Sequence, residues 1–190
     1  RVKLMVKVLI IGLRNPGELY RNTRHNAGAL FLDWLKNYLN SENFKENKIC
    51  LSEISKTKIN GQLIILAKPL VFMNNSGEAV RKLKNFFKTE NQNIIVCHDD
   101  SDLMIGNFKI QKERGSAGHK GVESVINHLK SKNFWRIRIG VRPFSLKKTK
   151  AENFILKNFS LKEREILKEV FEKILISLRK EIKIKDKPII

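Results

Sequence analysis

A chain of 190 residues with two cysteines is long enough to bury a core without cross-links, which excludes a disulfide-stapled scaffold. No stretch approaches the roughly 18 apolar residues of a membrane span, and the first apolar run closes at Gly12-Leu13 without a leader's small-residue cleavage site; the expectation is a soluble, cytoplasmic protein with no membrane partner. Lysine and arginine number 38 against 19 acidic residues, a formal charge of +19, which concentrates polyanions and makes nucleic acid the first partner to consider, although a composition rich in Lys, Asn and Ile is itself a source of such charge.

Val6 to Gly12 reads as a strand buried on both faces, closed by glycine. Ala27, Leu30, Phe31, Trp34, Leu35 and Tyr38 then recur at helical spacing, with Asn26 as candidate N-cap, so His25 sits just ahead of a helix. Ile49 to Lys58 and Gln62 to Ala67 flank Asn60-Gly61, the signature of a hairpin with a type I′ turn. A helix is predicted from near Ser76, carrying Val80, Leu83, Phe86 and Phe87, and then a buried strand over Asn93 to Cys97 that ends on His98-Asp99-Asp100. Cys50 and Cys97 each fall in an apolar strand-like run and read as buried free thiols.

Phe108 to Gln111 reads as a further strand; glycines at 115, 118 and 121 interrupt the pattern before Val122, Val125, Ile126 and Leu129 resume a helix. In the strand from Trp135 to Arg142, apolar residues alternate with Arg136, Arg138 and Arg142, so one face should pack and the other present cations to phosphate. Ser160 and Glu163 form a capping box ahead of a long amphipathic helix bearing Ile166 to Leu178, and the tail from Glu181 to Ile190 is expected to be mobile. No Met precedes Arg1, as for a trimmed or incomplete start. These elements predict one domain over 1–190: an α/β fold with a mixed, mostly parallel twisted sheet and helices on both faces. The loops after Gly12, Ala67 and Cys97 should converge beyond the strand ends.

Those loops carry a histidine, an acid cluster and amides. A histidine before a helix N-terminus is expected to stay neutral near pH 7, because the positive end of the helix disfavours its charged form. Asp99 is the candidate acid to fix its tautomer. Alone, a loop histidine more often caps or bonds locally. Gly12-Leu-Arg-Asn-Pro-Gly17 lacks the dinucleotide-binding spacing. His98, Asp99, Asp100 and Asp102 offer a divalent-metal alternative, although adjacent side chains on an extended segment diverge.

At these positions the sequence resembles the bacterial-type peptidyl-tRNA hydrolase family: Asn15-Pro16-Gly17, Tyr20, Thr23-Arg24-His25-Asn26-Ala27-Gly28, then Phe72-Met73-Asn74-Asn75-Ser76-Gly77, then His98-Asp99-Asp100-Ser101-Asp102. Arg114 to Gly121 and Arg136 to Gly140 also match. The resemblance implies hydrolysis of the ester joining a peptide to the 3′ ribose of tRNA, without metal or cofactor; a monomer is the expectation from the absence of an obvious exposed apolar stripe in the sequence. By motif position, His25 is the general base, Asp99 holds it, and Asn15 favours blocked over free aminoacyl-tRNA. Tyr20, Phe72, Met73 and Asn74 line the site, and Lys109 and Arg138 match a phosphate patch that Arg136 and Lys112 extend. Lys120 stands where Asn is usual, either holding a phosphate or the ester carbonyl and lowering the His25 pKa, or merely solvated. Arg14, Ser101, Met104 and Gln111 are further departures, at the rim. The competing function is a non-catalytic RNA-binding relative of the same fold.

Overall fold

The structure is a computed structural model that describes residues 6–146 and 149–181. One seven-stranded sheet runs in the order β2-β3-β4-β1-β5-β7-β6, formed by β1 (Val6–Gly12), β2 (Lys45–Asn47), β3 (Ser52–Ile59), β4 (Gln62–Pro69), β5 (Ile94–Met104), β6 (Phe108–Lys112) and β7 (Trp135–Arg142). Pairing is parallel at the centre, β4-β1-β5-β7, and antiparallel toward both edges. The helices are α1 (Ala27–Tyr38), α2 (Ser76–Phe87), α3 (Lys120–Leu129) and α4 (Leu161–Glu181). The α/β class, the mixed sheet and the helices on both faces are as the sequence predicts.

Alternation along β1 explains the two-faced core. Val8 and Ile10 pack with Phe31 and Leu35 of α1 and Val170, Phe171 and Ile174 of α4, while Leu9 and Ile11 pack with Val80 and Leu83 of α2 and Val122 and Val125 of α3. Both layers remove apolar surface from water, so the central strands have no polar face. The β3–β4 hairpin turns on Asn60 and Gly61, both with positive φ, as a type I′ turn requires.

Two strand bounds are corrected. The strand β3 begins at Ser52 rather than Ile49, so Cys50 lies in a turn, where its N–H donates to Asn47 Oδ1 at 2.9 Å; it is nonetheless fully buried. The exposed polar edge strand β2 precedes it, without an apolar period that would betray it. The strand β5 does not end at Cys97 but runs through His98 and Asp99 to Met104, because β7 continues to supply ladder partners as far as Asp100↔Gly140 and again at Met104↔Arg142.

The arginines of β7, an interior strand between β5 and β6, do share a face, but each is engaged within the protein to a different degree. Arg136 is 2% exposed. Arg138 donates to Asp100 Oδ2 and to Gln111 Oε1, and Arg142 donates to the carbonyls of Ser101, Leu146 and Thr149. Lys112 leans on the Trp135 ring and Glu113. Lys109, by contrast, is exposed on β6 opposite Arg138 in register.

The capping box forms as the sequence predicts: Ser160 N–H donates to Glu163 Oε2 at 2.8 Å and Glu163 N–H to Ser160 Oγ at 3.3 Å. Glu163 is also met by Arg24, whose Nη2 alone lies within hydrogen-bond distance of both carboxylate oxygens, at 2.8 and 2.7 Å. The Arg24 guanidinium reaches the carbonyls of Lys157 and Asn158 as well. Burial opposes ionisation of Glu163, but the Ser160 N–H and Arg24 outweigh it and hold its carboxyl below the usual value. Glu163→Ala is expected to cost on the order of 2–4 kcal/mol, from the lost cap and an uncompensated, mostly buried Arg24, read as a lower midpoint in urea with unchanged m. The expected mobile tail runs over 181–190; Glu181 is the last residue of α4, and 182–190 lie outside the described residues.

Candidate active site

The neighbouring parallel strands β4, β1 and β5 deliver their C-terminal ends side by side. Beyond them a cavity of about 710 Å³ is lined by Asn15, His25, Phe72, Met73, Asn74, Asp99, Lys120 and Arg138, among others. The three predicted loops thus converge, with the third cluster carried on strand β5 rather than on a loop.

His25 occupies a single 3-10 turn, Arg24–Asn26, that leads into α1. Its backbone N–H is held by the carbonyl of Ile155 at 2.9 Å and that of Arg24 by Lys157 at 3.0 Å. The helix can approach β5 because residue 28 is glycine: a Cβ there would lie 2.2 Å from the Cys97 carbonyl oxygen. Asn26 does not cap α1 with its side chain. It clamps the preceding loop instead, accepting from Asn15 N–H at 2.8 Å and donating to the Asn15 carbonyl at 2.9 Å. Asn15 Oδ1 in turn accepts the N–H of Met73 at 2.9 Å. With its oxygen committed, Asn15 has its amide NH₂ left to offer to a ligand.

His25 Nδ1 lies 2.9 Å from Asp99 Oδ1. The same oxygen is 3.0 Å from His119 Nε2, and His119 Nδ1 accepts the N–H of Val122 at 3.2 Å as N-cap of α3. Because His119 Nδ1 is an acceptor, its proton sits on Nε2, so Asp99 Oδ1 accepts from two imidazoles at once. Burial pushes the Asp99 carboxyl up, but His119 and His25 beside it hold it well below the usual carboxylate range. For His25, burial pulls the imidazole down, while the charge and hydrogen bond of Asp99 pull it up and prevail, leaving its pKa above the ordinary 6.5. This corrects the expectation of a depressed pKa: the buried Asp99 carboxylate in contact with the ring decides the direction.

His98 points elsewhere. Its Nδ1–H donates to the Asp99 carbonyl at 2.7 Å, its ring packs edge-on against His119, and burial, reinforced by His119, pushes its pKa well below 6.5. Asp100 is engaged with Arg138 and with Asp102 N–H. The predicted metal alternative therefore falls apart. Among the described residues, the ligand atoms close enough to hold an ion belong instead to His25, Asp99 and His119, and their mutual hydrogen bonds already account for that convergence.

Two predicted residues stand outside the cavity wall. Tyr20 reaches it only through its ring, edge-on to Phe72 at 6.2 Å between centroids, and Lys109 lies one strand beyond Arg138. Sequence reasoning missed the roles of His119, Asn26 and Arg24, although each lies inside a quoted motif. A second histidine between glycines at a helix start was the available signal for His119. Cys97 is fully buried and burial pushes its thiol up, so it is inert.

The family model for peptidyl-tRNA hydrolase matches residues 9–187. Among curated proteins named peptidyl-tRNA hydrolase, that of Mycoplasma mycoides is 44% identical over 163 residues, covering 86% of each chain. That of Aquifex aeolicus is 39% identical over 178 residues, 93% of this chain and 90% of the relative. The crystal structure of peptidyl-tRNA hydrolase from Acinetobacter baumannii superposes with a TM-score of 0.82 at 26% identity, covering 94% of this chain and 90% of that one.

Proposed function

Since this chain belongs to the peptidyl-tRNA hydrolase family, we propose that it cleaves the ester between a peptide and the 3′ oxygen of tRNA with His25 as general base. The observation that carries this reading is the His25 Nδ1–Asp99 Oδ1 hydrogen bond at the cavity wall. It commits Nδ1–H to the carboxylate and leaves Nε2 to take a proton. Water then attacks the acyl carbon as His25 Nε2 accepts its proton, and Asp99 stabilises the imidazolium. The carbon–O3′ bond breaks, His25 returns the proton to the leaving 3′ oxygen, and the products are tRNA with a free 3′ hydroxyl and a peptide carboxylic acid, which releases water's second proton to solvent to become the carboxylate. No step draws on a metal or cofactor. Phe72 and Met73 offer an apolar, sequence-tolerant wall, and the amides of Asn15 and Asn74 can donate to the carbonyl oxygen as it gains charge.

A non-catalytic RNA-binding protein would need cations and aromatics, not a histidine held by a buried carboxylate, so the assembled pair favours the enzyme. Among the described residues no helix is long and apolar enough to cross a membrane; we place the protein in the cytoplasm as a soluble monomer, which sedimentation of the purified chain tests.

The assay compares N-blocked with free aminoacyl-tRNA, with and without chelator. Wild-type protein should cleave the blocked ester preferentially and indifferently to chelator. Asn15→Asp keeps the acceptor for Met73 N–H but removes the NH₂ donor; kcat/KM for the blocked ester should fall by about 10²-fold. The new carboxylate should attract a free ammonium, so the preference should narrow. Loss of wild-type activity in chelator would instead point to a metal enzyme.

A further inference from the structure

The charges around the cavity do not suit a polyanionic substrate, with one exception. Four carboxylates line it, Asp99, Asp100, Asp102 and Glu152. Asp99 is met by two imidazoles and Asp100 by Arg138, whereas Asp102 and Glu152 are exposed and make no ion pair among the described residues. Arg138 is held through Nε by Asp100 and through Nη1 by Gln111. That leaves Lys120, exposed and with no acidic or hydrogen-bonding partner for its ammonium among the described residues.

Lys120 does nothing for the helix it begins. As the first residue of α3 it stands at the positive end of the macrodipole, where a cation is unfavourable. Its backbone is nevertheless fixed close to the reacting groups, because the preceding residue, His119, places Nε2 3.0 Å from Asp99 Oδ1. A long flexible side chain anchored there can reach about one ribose away from the ester.

We propose that Lys120 binds the phosphodiester on the 5′ side of the terminal nucleoside that carries the ester, and so determines that the ester is recognised as the end of a nucleic acid. This rests on the hydrolase reading above. The phosphate would otherwise face two uncompensated carboxylates, and Lys120 converts that repulsion into a specific contact. A charge-assisted bond of this kind changes affinity roughly tenfold.

Two small esters test it: an N-blocked aminoacyl ester of adenosine 5′-phosphate, and the same ester of adenosine without the phosphate. Lys120→Gln should raise KM roughly tenfold for the phosphorylated ester and for blocked aminoacyl-tRNA at low salt, with kcat maintained. The loss on the phosphate-free ester should be smaller by that factor, and Lys120→Arg should restore KM. The slope of log kcat/KM for tRNA against log salt should flatten by about 0.7 to 1. Equal loss on both small esters would overturn the proposal by placing Lys120 at the carbonyl; no loss on either would overturn it as a solvated lysine. Failure of the hydrolase reading is distinguishable, since wild-type protein would then cleave no ester. Adenosine 5′-phosphate should still bind more tightly than adenosine, and Lys120→Gln should erase that advantage; no such advantage would sink the proposal independently.

Discussion

Replacing His25 with alanine is expected to lower single-turnover cleavage of N-blocked aminoacyl-tRNA by about 10²–10⁴-fold, the range a positioned general base contributes. Affinity for uncharged tRNA should be nearly intact, because it comes from cation contacts to phosphate rather than from the base. The fold should tolerate the change: the His25 side chain is 19% exposed and, among the described residues, its one side-chain hydrogen-bond partner is Asp99. Asp99 retains His119 as a donor in the variant. Filter binding beside quenched-flow rates separates the two effects, and a wild-type rate in this variant would remove His25 from the role of base.

Asp99→Asn is expected to be about as damaging and to leave a different signature. An amide can turn its NH₂ toward His25, which would then hold the proton on the wrong ring nitrogen; the corresponding change in a serine-protease triad costs about 10⁴-fold. Asp99 is also what raises the His25 pKa against burial. Without it burial prevails, so the acid limb of the residual kcat profile should move from above 6.5 to below it. The linkage to stability has the opposite sense. With its folded pKa raised, His25 contributes stability that is complete below its unfolded value and fades as pH rises through the folded one. His25 therefore contributes least to stability where its neutral form works best as a base.

Much of the site was legible because its residues serve local geometry that leaves a mark in sequence. The string Thr23 to Gly28 has a physical reason at nearly every position. Thr23 bridges to Asn158, Arg24 grips Glu163, Asn26 clamps Asn15, and Gly28 admits the Cys97 carbonyl. The Asn-Gly turn and the Ser160–Glu163 box are equally local, and both form where expected. What the sequence hid depends on partners far along the chain. Arg24 and Glu163 lie 139 residues apart, and nothing near either announces the other.

The rising pKa of His25 was hidden for the same reason: the helix end is visible next to it, while the carboxylate that decides the direction is 74 residues away. The alternation of arginines on β7 was legible, but their engagement by Asp100, Gln111 and nearby carbonyls was not, since periodicity tells which residues share a side and not what they meet there. The sequence does not show that His119 shares Asp99 with His25, because a carboxylate oxygen can accept two donors.

The most direct test of His25 as the base is to follow its imidazole by nitrogen NMR in the wild-type protein while measuring kcat on the blocked ester across the same pH range. The neutral ring should carry its proton on Nδ1, its titration midpoint should lie above 6.5, and the acid limb of kcat should share that midpoint in the absence of added metal. A kcat limb that does not follow the His25 titration, or a neutral ring protonated on Nε2, would contradict the account.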